Sequence, residues 1–135
     1  MIVFNNEIDF TLENPVILSK WISNTVLKEK FKEGEINFIF CSDSSLLEKN
    51  IKFLNHNTLT DIISFDYTMG SIVSGDIFIS IDRVRENAQT FEVSFTDELH
   101  RVIIHGILHY CGYKDKTPQQ KLEMRSKEDF YLNLR

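Results

Sequence analysis

His105 and His109 are the residues whose types and spacing point most directly to chemistry. They stand in the run Val102-Ile103-Ile104-His105-Gly106-Ile107-Leu108-His109, which has the composition of a buried helix. Four positions turn a helix through about 400°, so the two rings project about 40° apart and can share one divalent cation. Two imidazoles on an apolar stripe are costly to bury unless their nitrogens are satisfied, and a cation satisfies both. Gly112 tolerates positive φ and suits a helix end, and Asp115 follows on chain that can fold back toward the rings. Two helical His plus a carboxylate leave a coordination position open. That is the ligand count of a catalytic zinc site, not of a closed structural one.

The expected cofactor is therefore one divalent ion per chain held by His105, His109 and Asp115, with zinc favoured and nickel, iron or manganese sharing the same ligand types. Such an ion lowers the pKa of bound water from about 15.7 to about 7 and polarises a carbonyl or phosphoryl oxygen. In the His-Glu-x-x-His helix of zinc proteases, the Glu beside the first ligand is the general base. Here that place is Gly106, so a metallopeptidase would need its base from elsewhere. Phosphodiester hydrolysis asks less of a carboxylate base and becomes the leading expectation. His100 lies about 140° around the helix from His105 and is set apart, as is His56, which falls in a polar loop. Cys111 projects about 200° away from His109 and reads as packing.

The elements that must position these residues follow from pattern. The 135-residue chain, 42% hydrophobic and 26% charged, is expected to form one globular domain over residues 1–135. No apolar run approaches the ~20 residues of a membrane span, and the N-terminus lacks the pattern of a secretory signal. With Cys41 and Cys111 as reduced thiols, the expected location is the cytoplasm. The net charge of −5 does not favour nucleic acid, but Lys114, Lys116, Lys121, Arg125 and Lys127 form a local basic cluster.

Ile2-Val3-Phe4 reads as a strand, and Asn14-Pro15 as the start of a helix running to about Phe31, with Val16, Ile17, Trp21, Ile22 and Leu27 on its apolar face. Ile36–Cys41 is a strand, and Asp43 or Ser44 caps a helix bearing Leu46, Leu47, Ile51 and Leu54. Strands at Ile62–Phe65 and Asp76–Ile81 are joined through Met69-Gly70 and Gly75, and Asp82 opens a helix ending near Phe91. Ser94 caps the two-His helix, about 17 residues and ~25 Å long. Thr117-Pro118-Gln119-Gln120 starts the last helix with a capping box. The order predicts an α/β (α+β) fold, with one mixed sheet of about four strands, about five helices, and the metal site on a central buried helix.

The run His105-Gly106-Ile107-Leu108-His109-Tyr110-Cys111-Gly112-Tyr113 resembles the signature H-G-x-L-H-L-x-G-Y-D-H of the YbeY family of bacterial endoribonucleases and ribosomal RNA maturation factors. Thr60-Asp61-Ile62-Ile63-Ser64-Phe65 is similar to its T-D-V-L-S-F segment. Gly75-Asp76-Ile77 with Ile79-Ser80 is similar to its G-D-I-x-I-S strand, and Glu98-Leu99 to the E-L before its metal helix. Asp115 stands where the family has a third His and Lys114 where it has Asp. Leu54 takes the place of a family Arg implicated in activity.

The resemblance implies a metal-dependent, single-strand-specific endoribonuclease acting in ribosomal RNA maturation and ribosome quality control. It also implies contact with the small ribosomal subunit and a ribosome-associated GTPase. Asp61, Ser64 and Lys114 are candidates for lining the cleft, with Lys52 or Lys114 as substitute cations. The alternatives are a non-catalytic ribosome-assembly factor with a structural metal, and a metal-dependent hydrolase of another substrate, such as a peptidase.

Overall fold

The computed structural model describes residues 1–135 as nine elements: β1 (Ile2–Asn6), α1 (Pro15–Lys28), β2 (Lys32–Cys41), α2 (Asp43–Leu54), β3 (Ile62–Asp66), β4 (Ile72–Ser80), α3 (Ile81–Thr90), α4 (Phe95–Tyr110) and α5 (Pro118–Leu132). The strands form one mixed sheet in the order β1-β2-β4-β3. β1 and β4 run parallel to β2, whereas β3 pairs antiparallel to β4. A four-stranded mixed sheet with five helices is the predicted architecture. No helix is long and apolar enough to cross a membrane.

The central strands carry the core. In β2, Ile36, Phe38 and Phe40 are fully buried while Asn37 and Ile39 are less so, the period-2 alternation of a sheet with unequal faces. Phe38 and Phe40 lie in register with Ile77 and Ile79 of β4. On this face Leu18, Trp21, Ile22 and Val26 of α1 join Val102, Ile103, Ile104, Ile107 and Leu108 of α4 in the main cluster. Leu46 of α2 packs with Cys41 and Ile63 in a smaller cluster. Helix α4 is thus held between the sheet and its neighbouring helices, as its apolar run requires.

Several local expectations are corrected. α1 ends at Lys28 instead of near Phe31, because Lys30 takes a positive φ of 67° and the chain turns into β2. Its buried face is Leu18, Trp21, Ile22, Thr25 and Val26, whereas Val16, Ile17 and Leu27 are exposed. Asn14 precedes the helix in a left-handed conformation and makes no side-chain cap. Ser42, not Asp43 or Ser44, caps α2, accepting from the Ser45 amide at 3.2 Å, and Ile51 and Leu54 face outward. β4 begins at Ile72, so Gly75 lies inside a strand and not in a connection. Ser80 caps α3, which starts at Ile81, one residue ahead of the expected Asp82. The caps at Ser94 and Thr117 are as read, with the full capping box formed between Thr117 and Gln120.

Candidate metal centre

Helix α4 reaches the sheet closely at Gly106, where a Cβ would lie 3.0 Å from Ile62 Cδ1 and 3.3 Å from Ile77 Cδ1. The position faces the sheet, so a longer side chain there would point into the core and away from the imidazoles. At its end the helix is closed by a Schellman motif. Tyr113 N–H donates to Leu108 O at 3.1 Å, Gly112 N–H donates to His109 O at 3.0 Å, and Gly112 has φ 98°. That reversal carries the next residues back over the helix terminus, toward the two rings.

The rings are locked from behind. His109 Nδ1 lies 2.9 Å from the Tyr113 carbonyl oxygen. A carbonyl can only accept, so Nδ1 bears the proton and Nε2 presents its lone pair. His105 Nδ1 lies 2.6 Å from Glu128 Oε2, which assigns its proton in the same way. The two Nε2 atoms are then 2.9 Å apart, and Asp115 Oδ2 is 3.2 Å from each.

With both rings in the neutral Nδ1–H tautomer that these contacts favour, three electron-pair donors converge. Such a set calls for a cation. Edges near 3 Å are close to the ~3.3 Å edge of a tetrahedron with bonds of about 2.0–2.1 Å. The residues present fit a mononuclear divalent ion with one position left for solvent.

Glu128 is 5% exposed and is itself held by Arg101, whose guanidinium donates to Glu128 Oε1 at 2.8 Å and to Asp129 at 2.7 Å. Burial opposes a charge on His105, but the hydrogen bond and charge of Glu128, with Asp115 and Asp61 beyond, raise its pKa above the ordinary imidazole value. Beside the rings opens a cavity of about 420 Å³. His105, Asp115 and Glu128 line it together with Asp61, Glu98 and Arg101, and Lys121 and Arg125 of α5 stand at its wall. Burial pushes Asp61 up from its ordinary carboxyl range, and burial together with the Asp61 charge does the same to Glu98.

Of the predicted site residues, His105, His109 and Asp115 meet at one point, and Asp61 lies in the adjoining cavity. Ser64 and Lys114 are not among the residues that line it. Lys114 is exposed, and Ser64 lies on β3 near Tyr110, whose hydroxyl donates to Phe65 O at 2.9 Å. Leu54 ends α2, 44% exposed and outside the cavity. Cys111 is partly buried, and burial pushes its thiol up to about 12.

Sequence reasoning missed Glu128, Arg101 and the Tyr113 carbonyl. The spacing of Glu98, Arg101 and His105 along one helical stripe could have drawn Arg101 in, but nothing local marks Glu128 on a different helix.

A mixed α/β sheet backed by a helix that brings two imidazoles to a carboxylate defines the class: a protein with the donor set of a mononuclear metal hydrolase. The Endoribonuclease YbeY family profile matches residues 4–134, and the chain belongs to that family. An Endoribonuclease YbeY of Flavobacterium psychrophilum is 58% identical, over 99% of this chain and 96% of that protein. One from Amoebophilus asiaticus is 46% identical over 96% of this chain and 88% of its own length. The solution structure of a Thermotoga maritima protein superposes with a TM-score of 0.71 at 30% identity, covering 98% of this chain and 87% of that one.

Proposed function

We propose that this protein is a metal-dependent endoribonuclease that cleaves single-stranded RNA during ribosomal RNA maturation, working as one domain across residues 1–135 in the cytoplasm. The observation that carries the reading is the convergence of the His105 and His109 Nε2 atoms and Asp115 Oδ2 beside an open cavity.

A divalent cation held there by His105, His109 and Asp115, zinc by preference, supplies an acidified water and positive charge for phosphoryl oxygens. The chain's own groups do the rest. Glu128 and the Tyr113 carbonyl keep both imidazoles in the Nδ1–H tautomer and aimed at one point. Lys121 and Arg125 set cations on the cavity wall to meet the RNA backbone, and Lys114 extends that basic surface outside it. Asp61, which lines the same cavity as His105, is the candidate to donate a proton to the departing oxygen. Ser64 lies on β3, the strand that begins at Ile62 directly after Asp61, and contributes by fixing that segment against β4.

The test is metal analysis beside an RNA assay. Purified protein is expected to hold about one ion per chain and to cleave single-stranded RNA, and His105→Ala and His109→Ala are expected to lose both. Cleavage that persists in the double variant overturns the reading.

Leu54 at the place of the family Arg favours one second reading, a ribosome-assembly factor whose cation only staples the loop after Gly112. Binding to the small ribosomal subunit and its GTPase without any cleavage would select it.

A further inference from the structure

The cavity beside His105 continues into a second one of about 610 Å³. Phe91, Glu98, Arg101 and Arg125 line both, so the two form one groove leading away from the imidazoles between the α3–α4 turn and α5. Three side chains in this groove are idle in the metal centre. Phe91 is 57% exposed, an aromatic ring left on the surface at the groove's lip. Arg125 makes no ion pair, although α5 offers acidic neighbours.

Glu98 is the telling one. It is only 6% exposed and no protein group hydrogen-bonds its carboxyl, whose oxygens reach solvent only through the groove. A largely buried carboxyl that only groove water can satisfy is a ready acceptor for an incoming donor. Glu98 precedes His105 by seven residues on the same helix, which sets it about 10 Å from the imidazoles along the axis. That is the scale of one to two nucleotides of extended single strand.

We propose that this groove is a guanine-binding subsite, in which a base next to the scissile bond stacks on Phe91 and presents its donor edge to Glu98, with Arg125 on the adjoining phosphate. The assignment rests on the endoribonuclease reading of the neighbouring site. A ring with an exposed face stacks any base and so selects unpaired RNA, because a base in a duplex has no free face. Selection among bases comes from Glu98. Guanine alone among the four has two adjacent donors, N1–H and N2–H2, spaced to meet both oxygens of a carboxylate. Cytosine and adenine set an acceptor beside their amino group, and uracil flanks its single N–H with carbonyl oxygens, so each places an acceptor against Glu98. The mixed charge of the groove matches a nucleotide, which carries both an anion and a donor edge. A uniformly basic peptide would gain from Glu98 but be repelled by Arg101 and Arg125.

The experiment is calorimetric titration of the metal-loaded full chain with GMP, AMP, CMP and UMP, beside cleavage mapping on single-stranded RNA of mixed sequence. GMP is expected to bind about tenfold or more tightly than UMP, and guanine to be enriched one or two nucleotides from the cut. Glu98→Gln, of equal volume, is expected to abolish the GMP preference while leaving a common weak affinity. Phe91→Ala, at an exposed position that does not threaten folding, is expected to weaken all four nucleotides roughly tenfold. Equal binding of the four nucleotides, a GMP preference that survives Glu98→Gln, or capture of an arginine-rich peptide in preference to any nucleotide overturns the proposal. Loss of RNA cleavage with the GMP preference intact would instead indict the reading of the metal centre and leave the subsite standing.

Discussion

Glu128 and His105, 23 residues apart in the chain, are joined by a 2.6 Å hydrogen bond that fixes which nitrogen of the ring faces the metal centre. Arg101 grips the other oxygen of the same carboxylate, so α5 is tied to α4 at the height of the first imidazole. The bond does two things at once. It orients the ring, and it makes Nε2 a better electron-pair donor.

Glu128→Gln keeps the volume but removes the charge. The variant is expected to bind zinc or cobalt roughly tenfold more weakly, and up to 100-fold if the ring turns away. Competition against a chelator of known affinity measures it, and unchanged affinity would deny Glu128 its role.

Asp115 supplies the third donor, 3.2 Å from both rings. Asp115→Ala is expected to lose more than the roughly 10–100-fold typical of an outer partner, because a ligand itself is gone. Asp115→His should retain binding, since imidazole is an equally competent ligand, with one negative charge fewer at the centre. The absorption spectrum of the cobalt-loaded protein, before and after each change, reports both outcomes.

Gly112 turns the chain with φ 98°, where a side chain is strained whatever the space around it. Gly112→Ala is expected to cost about 1–2 kcal/mol, read as a lower midpoint in urea denaturation. The cost falls on the turn that delivers the Tyr113 carbonyl and Asp115, so metal affinity should drop with it. A variant of unchanged stability and affinity would contradict the geometry.

Glu29 lies at the end of α1, 11% exposed, and accepts hydrogen bonds from Tyr131, from Tyr113 at 2.7 Å and from Lys127 at 3.5 Å. Burial opposes its charge, yet these donors hold it below its ordinary value of 4.5. A carboxyl depressed in the folded state adds stability above its unfolded pKa and loses it as pH falls through the folded one. The protein should therefore weaken below about pH 4.5, and Glu29→Gln should both lower stability near pH 7 and flatten the acid limb. Denaturation midpoints across that range decide it, and parallel profiles for both proteins would remove Glu29 from the account.

The site was partly legible because helix periodicity is local. Four-residue spacing fixes two rings on one face, and a Gly three residues on marks where the helix stops, so His105, His109 and the return to Asp115 could be read without a fold. The apolar stretches Ile36–Cys41 and Ile62–Phe65 were legible as strand for a like reason, their β-branched and aromatic content, whereas the polar start of β2 at Lys32 was not. Errors gathered at boundaries and faces. Val16, Ile17 and Leu27 are apolar, yet which side of α1 meets the sheet depends on where Phe38, Phe40 and α4 lie. Ser42, Asp43 and Ser44 are all competent caps, and only the backbone's path selects Ser42.

By itself, then, the sequence determined the element order, the two-His face and the turn that follows it, since each depends on neighbours a few residues away. Tertiary structure decided the rest. The pairing of Glu128 with His105, the open groove flanked by Phe91 and Glu98, and the exclusion of Lys114 from the cavity depend on how α4, α5 and the sheet dock. Docking is set by the whole buried surface, and no short stretch of residues contains it.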